Sequence, residues 1–166
     1  MQFRTFAFED ALFCYTIRKR AFTELFANEL APAEIAACGD AYALYDYVRM
    51  QKAGEFFIAE EDCVPRGFFT LKRLGRKKAE IPLLYLDPDC RGKGLGHECM
   101  HWLERWVATN WTEITHLVVD TVIPRTSGGF YKAMGFTEAG ETVCRFSDLD
   151  IKATRFTKEI TPLEGL

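Results

Sequence analysis

The sequence predicts a mixed α/β (or α+β) domain in which helices cover a central sheet. Strand-like runs alternate with helical runs along the chain, and this order places helices on the faces of a sheet. The 166 residues show no internal repeat or low-complexity tract, and 48% of them are hydrophobic. A chain of this length and composition can bury a core as one unit, so we expect a single domain over residues 1–166.

The first half of the chain is predicted to hold a strand, two helices and a hairpin. The opening segment alternates polar and apolar residues, which is typical of a half-buried strand. Two stretches with helical spacing follow and meet at a joint near residue 30, and a turn-like segment separates the two hairpin strands. The predicted elements are a strand at 2–6, helices at 11–28 and from about 32 to 51, and strands at 55–59 and 67–72.

The second half is predicted to alternate between strands and helices. Pro82 stands inside the first of these strands, where it cannot donate a ladder hydrogen bond, so we expect an edge or a bulge there. Pro124 and the run Ser127-Gly128-Gly129 are interpreted as interruptions before a short helix. The predicted elements are strands at 79–86, 115–122, 141–146 and 153–159, and helices at 93–108 and 129–134.

Composition and charge exclude some classes of function. The formal net charge of −3 argues against general nucleic-acid binding. No apolar run is long enough for a membrane span, and no signal pattern precedes the first strand. The six cysteines include no C-x-x-C pair, which favours reduced thiols. We therefore expect a cytoplasmic protein with neither nucleic-acid nor membrane partners.

A glycine-rich segment between a predicted strand and a predicted helix indicates an anion site. It reads Asp-Pro-Asp-Cys-Arg-Gly-Lys-Gly-Leu-Gly-His over residues 87–97. Closely spaced glycines let the backbone approach a ligand, and amides at a helix start favour negative charge. The spacing G-x-G-x-G fits neither the dinucleotide fingerprint nor the nucleotide-triphosphate loop. The segment therefore predicts a phosphate cradle of another kind.

Arg91, Gly94 and Gly96 fill the pattern R/Q-x-x-G-x-G/A and resemble the acyl-CoA loop of the Gcn5-related N-acetyltransferase (GNAT) superfamily. The resemblance covers about residues 2–160, and its specific part lies between residues 80 and 136. It implies the acyl-CoA N-acyltransferase fold, in which the fourth and fifth strands of a mixed sheet splay apart to admit the pantetheine arm. It also implies acetyl-CoA as co-substrate. The implied cofactor-binding residues are Leu86 through its main chain, Arg91, Gly92, Lys93, Gly94, Leu95, Gly96, His97 and Ser127.

A second segment, Phe-Tyr-Lys-Ala-Met-Gly-Phe at 130–136, resembles the family's F/L-Y-x-K/R-x-G-F motif and follows one strand later. The resemblance implies that Tyr131 protonates the departing CoA thiolate as a general acid. Without the cradle upstream, a packing tyrosine is the better interpretation of this residue, and the resemblance reverses that preference. The family often has an asparagine seven residues before this tyrosine, where this chain has Pro124, so Thr126, Ser127 or the Gly-Gly backbone would have to replace its contacts.

Glu80 is the candidate general base, since the attacking amine must lose a proton. It matches the position of an acid on the fourth strand in many similar proteins. A solvent-facing glutamate at a strand start is the alternative interpretation. Asp120 and Asp87 are poorer candidates.

A competing motif lies on the predicted helix that follows the cradle. His97 to His101 satisfies H-E-x-x-H, the zinc-hydrolase signature. Zinc catalysis requires a third protein ligand, and the only other histidine, His116, lies on a separate strand. At 100° per residue both motif histidines lie opposite an apolar stripe of Leu95, Cys99, Trp102, Leu103 and Trp106, so a solvated helix face explains them better.

These observations predict an N-acetyltransferase that moves an acetyl group directly from acetyl-CoA to a primary amine of a small molecule or peptide. A CoA-binding module without transferase activity is the alternative, and a zinc hydrolase is the less favoured one. The acceptor would be framed by the two N-terminal helices, their joint near residue 30 and the last strands. A homodimer is possible in view of similar proteins.

Overall fold

The structure, a computed structural model, describes residues 1–161 and shows a mixed sheet of eight strands with five α-helices. The strands are β1 Gln2–Thr5, β2 Glu55–Glu61, β3 Val64–Arg73, β4 Lys78–Glu80, β5 Leu84–Leu86, β6 His116–Thr121, β7 Thr137–Phe146 and β8 Leu149–Glu159. The helices are α1 Ala11–Arg20, α2 Pro32–Gly39, α3 Leu44–Ala53, α4 Leu95–Asn110 and α5 Pro124–Ala133. Short 3₁₀ turns at Phe8–Asp10 and Pro88–Cys90 and a π-helical turn at Ala21–Leu25 complete the description.

The sheet runs in the order β1-β2-β3-β4-β6-β8-β7, with β5 paired to β3 beside this path. All pairs are antiparallel except β4 with β6. Side chains alternate between its two faces, as strand geometry requires. Phe57 and Phe69 belong to the cluster that packs beneath α4, while Phe56 and Phe68 belong to the cluster beneath α1 and α3. The predicted sheet with helices on its faces is confirmed.

The stripe predicted on α4 faces this core. Leu95, Cys99 and Leu103 are buried, and Trp102 stacks on Phe3 with ring centroids 4.8 Å apart. The predicted hairpin is also present, with a tight turn at Asp62 and Cys63, which both have positive φ.

The single helix predicted from about 32 to 51 is wrong. α2 ends at Gly39 and α3 begins at Leu44. The Asp46 carboxylate accepts a hydrogen bond of 2.8 Å from the amide of Ala43, which satisfies a donor ahead of the first turn of α3 and fixes its start. The break places Tyr42 in the connection between the two helices.

The single strand predicted at 79–86 is also wrong, and the difference creates the site. The chain leaves the sheet after Ile81, whose amide donates to Val118 at 2.9 Å, and Pro82 then has no amide to continue the parallel ladder. Beyond this point, β5 pairs with β3, and no pairing with β6 occurs within residues 1–161. The splaying predicted between the strand segments 79–86 and 115–122 is confirmed as the gap between β5 and β6, and it begins at Pro82.

Helix α5 begins at Pro124, earlier than predicted. Proline suits the first helical position because its fixed φ is helical and no intrahelical amide bond is needed there. Ser127, Gly128 and Gly129 therefore lie inside the helix and do not interrupt it. A Cβ at Gly128 would lie 3.3 Å from the ring of Phe156, so the small residue permits close packing of α5 on the sheet.

Two further observations concern the predicted environment. All six cysteines are free thiols. Among residues 1–161, none of the helices combines the length and the apolar character needed to cross a bilayer.

Candidate active site

A cleft of about 830 Å³ opens where β5 and β6 part. Its walls come from the segment 80–97, from residues 119–123 at the end of β6, and from α5. The π-helical turn after α1 and the end of β7 close the opposite side. The cleft therefore exists because the ladder between β4 and β6 stops at Pro82.

One edge of β5 presents main-chain groups to this cleft. The amide of Asp87 donates to Arg66 at 2.7 Å, and the Leu83 carbonyl accepts from Thr70 at 3.0 Å, so odd-numbered residues point towards β3. Because hydrogen-bonding direction alternates along a strand, the N–H and C=O groups of Leu84 and Leu86 point the other way, into the gap. An extended ligand can pair with this edge as an added strand.

The glycine segment lies at the end of β5 and opens α4. Gly92 and Gly94 have φ of 79° and 80°, in the left-handed region that favours glycine. Within residues 1–161, no backbone carbonyl accepts from the amides of Gly92, Lys93 or Gly94. The first amides of α4 also lack intrahelical acceptors. These amides therefore have no acceptor within the described backbone, as the predicted cradle requires.

The predicted cradle residues do not all contribute in the same way. The amide of Arg91 donates to Pro88 at 3.3 Å within the preceding turn, so the available amides begin at Gly92. Arg91, Gly92, Gly94, Leu95, Gly96 and His97 line the cleft, whereas Lys93 does not. His97 is exposed, and its ring meets that of Phe130 edge-on at 5.7 Å.

Close backbone approaches fix the position of the cradle. A Cβ added to Gly96 would lie 3.0 Å from the ring of Phe130 and 3.5 Å from the Leu86 side chain. A Cβ at Gly67 would lie 2.5 Å from the other Leu86 methyl group. Both glycines let β3, β5, α4 and α5 approach closely around Leu86.

Tyr131 lies on α5 and lines the cleft. It is buried among aromatic rings, with centroid distances of 5.2 Å to Phe130 and 5.7 Å to both Phe136 and Phe156. Burial raises the pKa of the Tyr131 phenol, and a smaller contribution comes from the neighbouring Tyr85. The phenol is therefore held in its protonated form, which a general acid requires.

Glu80 lines the same cleft at the end of β4, where it pairs in register with Val118. Burial, and then the negative charge of Asp120, raise the pKa of the half-buried Glu80 carboxyl, against the opposing effect of Lys72 and Arg155. A raised carboxyl pKa suits a base working near neutral pH. The structure thus brings Glu80 and Tyr131 to one cavity.

The two poorer candidate bases are engaged elsewhere. Asp120 forms a two-pronged ion pair with Arg155, with both contacts at 2.8 Å. Asp87 accepts from Arg20 at 3.2 Å and from the amide of Asp89 at 3.0 Å. Both carboxylates are therefore held by ion pairs, whereas Glu80 forms none within residues 1–161.

Ser127 lines the cleft, but its hydroxyl already has partners. It lies 3.0 Å from the Ile123 carbonyl, to which it donates, and 2.8 Å from the Thr121 hydroxyl. It can therefore offer a ligand only its remaining acceptor capacity. At the position where similar proteins have asparagine, Pro124 starts α5 and offers no side-chain hydrogen bond.

Arg18 and Tyr85 are among the residues of the cleft that sequence reasoning missed. Arg18 is buried on α1, with a guanidinium surrounded by aromatic rings. Tyr85 stacks on Phe68 of the adjacent strand at 5.6 Å, and burial raises the pKa of its phenol. An arginine in a helical sequence normally marks a solvated face, so no signal identified Arg18.

The H-E-x-x-H match does not form a metal centre in the described part of the chain. No group of three histidine, cysteine or acidic side chains that could hold a metal occurs within residues 1–161. His97, Glu98 and His101 are exposed on α4, as the face analysis predicted.

Comparisons with known proteins identify the family and the fold. The sequence profile of the Acetyltransferase (GNAT) family matches residues 13–136. A search of curated protein sequences found no match.

Several solved structures share the fold. The chain is similar to a "GCN5-Related N-acetyltransferase: Aminotransferase, Class-II" from Rhodopseudomonas palustris, with 21% identity, a TM-score of 0.83, and coverage of 96% of this chain and 95% of that one. It is also similar to the ribosomal-protein-S18-alanine N-acetyltransferase from Escherichia coli, with 16% identity, a TM-score of 0.69, and coverage of 99% of this chain and 96% of that one. A third is a phosphinothricin acetyltransferase from Sinorhizobium meliloti, solved with AcCoA (14%, TM-score 0.67, coverage 99% and 94%).

Proposed function

The chain belongs to the acetyltransferase (GNAT) family, and from this membership we propose that it transfers an acetyl group from acetyl-CoA directly to a primary amine of a small molecule or peptide. The observation that carries the proposal is the gap after Pro82, where the unpaired edge of β5 leads to the cradle amides. The described residues fit CoA, since an extended pantetheine needs a strand edge and a diphosphate needs converging N–H groups.

The residues that would hold the cofactor follow from this fit. The main-chain groups of Leu84 and Leu86 would pair with the pantetheine arm, and the amides from Gly92 to His97 would hold the diphosphate. Arg91 adds a positive charge at the same end of the cleft. Acetyl-CoA supplies the activated acetyl thioester.

The protein's chemical contribution is orientation and proton transfer. Glu80 accepts the proton that the ammonium form of the acceptor must lose, directly or through water. The neutral amine attacks the thioester carbonyl, the C–S bond breaks as the C–N bond forms, and Tyr131 donates its proton to the sulfur. The new amide nitrogen then loses its second proton, which restores the Tyr131 phenol through solvent, and Glu80 releases its proton to water. Holding two reactants in one cleft supplies much of the rate, and each positioned proton transfer adds to it.

Acetyl-CoA binding together with thiol release tests the proposal. Calorimetry with acetyl-CoA should show binding, and a panel of primary amines should include acceptors that release free CoA thiol. Binding without turnover on any amine would favour the alternative, a CoA-binding module. The proline at position 124 is the observation that supports this alternative, because it removes a side-chain cofactor contact common in similar proteins.

The proposal names the acceptor only as a primary amine of a small molecule or peptide. Two of the similar proteins are named for their acceptors, phosphinothricin in one case and an alanine of a ribosomal protein in the other. Because their sequence identity to this chain is so low, they show the shared fold and not a shared acceptor. A location in the reducing cytoplasm remains a prediction, which the six free cysteines support. A homodimer also remains a prediction.

A further inference from the structure

A buried arginine in the wall of the cleft carries a positive charge that has no acidic partner within residues 1–161. Arg18 is only 1% exposed. Its Nη1 donates to the Cys38 carbonyl, but Nε and Nη2 have no hydrogen-bond partner within residues 1–161. A buried charge of this kind is costly unless a partner of opposite charge supplies hydrogen bonds. The environment is therefore arranged for an anion that comes from outside these residues.

Aromatic rings surround the guanidinium. Its Cζ lies 4.6 Å from the ring centroid of Tyr42, 4.9 Å from Phe22, 5.5 Å from Tyr85 and 5.8 Å from Phe146. We call these four residues the aromatic cage. The cage gives the cation some stabilisation and keeps bulk water away from it. An ion pair formed there is stronger than one formed in water.

The aromatic cage and Arg18 belong to the cleft. All five residues line it, together with Glu80 and Tyr131. They come from α1 and its π-helical turn, the α2–α3 connection, β5 and the end of β7. Apart from β5, these are the parts of the chain that we expected to frame the acceptor. The rings of Tyr42, Tyr85 and Phe146 are only partly buried, so a ligand that displaces one of them reaches Nε and Nη2.

The other charges of the cleft already have partners or other roles. Asp120 pairs with Arg155, and Asp87 pairs with Arg20. Arg145, at the rim, pairs with Asp150 at 3.3 Å. Glu80 remains as an anionic group for the amine, and Arg18 remains as a cationic group for which the described part of the chain supplies no counterion.

We propose that Arg18 binds the carboxylate of the acceptor, so that the acceptor class is amino carboxylic acids, with the amine directed towards Glu80. This proposal rests on the proposed acetyl transfer. A neutral analogue would leave the guanidinium unpaired, and a site with a buried unpaired donor discriminates strongly against such a ligand.

Acceptors that differ only in this charge test the proposal. The probes are the proteinogenic amino acids, γ-aminobutyrate and 6-aminohexanoate, each compared with its own carboxamide. Thiol release with acetyl-CoA gives kcat/KM, and the shift in melting temperature without acetyl-CoA gives binding independently of turnover. We expect the preferred carboxylate to exceed its carboxamide by roughly 10- to 100-fold in kcat/KM, the range of a hydrogen bond to a charged group.

Two variants assign the preference to Arg18. Arg18→Met keeps the bulk and removes the charge, and Arg18→Lys keeps the charge without the fork geometry. We expect Arg18→Met to abolish the preference and Arg18→Lys to retain part of it. Arg145→Met removes an exposed arginine from the rim and is the matched control, which should retain the preference.

Stability separates ligand binding from a structural role. If the role of Arg18 is to bind a ligand, Arg18→Met removes an uncompensated buried charge from the ligand-free protein. Its melting temperature should then be unchanged or higher. A large fall in melting temperature with an unaltered preference would overturn the proposal, as would loss of the preference in Arg145→Met but not in Arg18→Met.

The remaining outcomes also decide between the two proposals. Turnover of carboxamides equal to that of carboxylates would refute the role of Arg18 and leave acetyl transfer intact. Absence of turnover on every amine would refute acetyl transfer. The melting shifts would then decide alone, because stabilisation by a carboxylate over its carboxamide that disappears in Arg18→Met supports an anion site, and equal shifts exclude it.

Discussion

The buried carboxylate of Glu29 accepts hydrogen bonds from both the amide and the hydroxyl of Thr126, at 2.8 Å and 2.6 Å. It also accepts from the amide of Arg125 at 2.6 Å, and its side chain is only 8% exposed. A residue before α2 therefore caps α5, the helix that carries Tyr131. Negative charge at this end also complements the helix dipole.

Removing this cap should destabilise the fold. We expect Glu29→Ala to lower the free energy of unfolding by about 1–3 kcal/mol, because it leaves the Arg125 amide and the Thr126 hydroxyl without their acceptor. The Thr126 amide would keep only its 3.1 Å hydrogen bond to the Ile123 carbonyl. Chemical denaturation measures the change. The matched control is Glu34→Ala, which removes a carboxylate that accepts from the Ala31 amide at an exposed position. Its loss should be smaller, and an equal loss in both variants would contradict a special role for Glu29.

Tyr131→Phe should separate chemistry from cofactor binding. The variant keeps the aromatic packing with Phe130, Phe136 and Phe156 and removes only the hydroxyl. We expect turnover to fall about 100-fold or more, within the range of a positioned proton transfer, while calorimetry shows unchanged acetyl-CoA affinity. Tyr47→Phe makes the same change at a buried tyrosine outside the cleft and serves as control. An unaltered rate in Tyr131→Phe would remove this residue from the mechanism.

Glu80 should determine the acid limb of the pH–rate profile. The base works only when deprotonated, and its raised pKa means that kcat/KM increases with pH over a range above the ordinary glutamate value of about 4.3. Glu80→Gln should lower kcat/KM and abolish this limb. Asp120→Asn should move the limb to lower pH, because it removes a negative charge that raises the pKa of Glu80 and frees the positive charge of Arg155. A limb that stays in place in Glu80→Gln would identify another base.

Ionisation of Glu80, which activity requires, should lower the stability of the fold. Its carboxyl has a higher pKa in the folded protein than in the unfolded chain, so folding favours the protonated form. This contribution is complete at low pH and is lost as pH rises through the folded-state pKa. Glu80→Gln should therefore raise the melting temperature at neutral pH, with a smaller difference in acid. A lower melting temperature at neutral pH would contradict the assigned environment.

A pair of glycine variants tests the cradle. Gly94 and Gly75 both have positive φ, 80° and 95°, and an added Cβ meets nothing within 4 Å at either position. Each change to alanine should cost about 1 kcal/mol of stability through backbone strain. Only Gly94→Ala should also weaken acetyl-CoA binding, since Gly75 lies in the loop between β3 and β4. Equal affinities in calorimetry would exclude the cradle as the diphosphate site.

The sequence predicts the structure best where the chemistry of a residue restricts its backbone to one conformation or hydrogen-bonding state. Gly92 and Gly94 adopt positive φ at the start of a helix, and Pro82 cannot extend a ladder, so the turn before α4 and the gap were both predictable. The apolar stripe of α4 was predictable for the same reason, because its period is that of a helix packed on a sheet.

The errors arose where tertiary contacts decide. Pro124 can end one element or begin another, and the distant carboxylate of Glu29 favours the helix start. The break at Gly39 depends on a cap by Asp46 that the apolar periodicity does not reveal. Arg18 was missed because its burial depends on rings from four separated segments, which no local pattern brings together.

Pro82 has a consequence for exchange of amide hydrogens with solvent deuterium. In the free protein, Leu84 and Leu86 should exchange fast, while Tyr85 and Asp87, directed towards β3, should exchange slowly. Four consecutive residues would thus alternate between two rates. Saturation with CoA should slow only the fast pair, so that a spectrum resolving single amides would report occupancy of the strand edge without any acceptor being known.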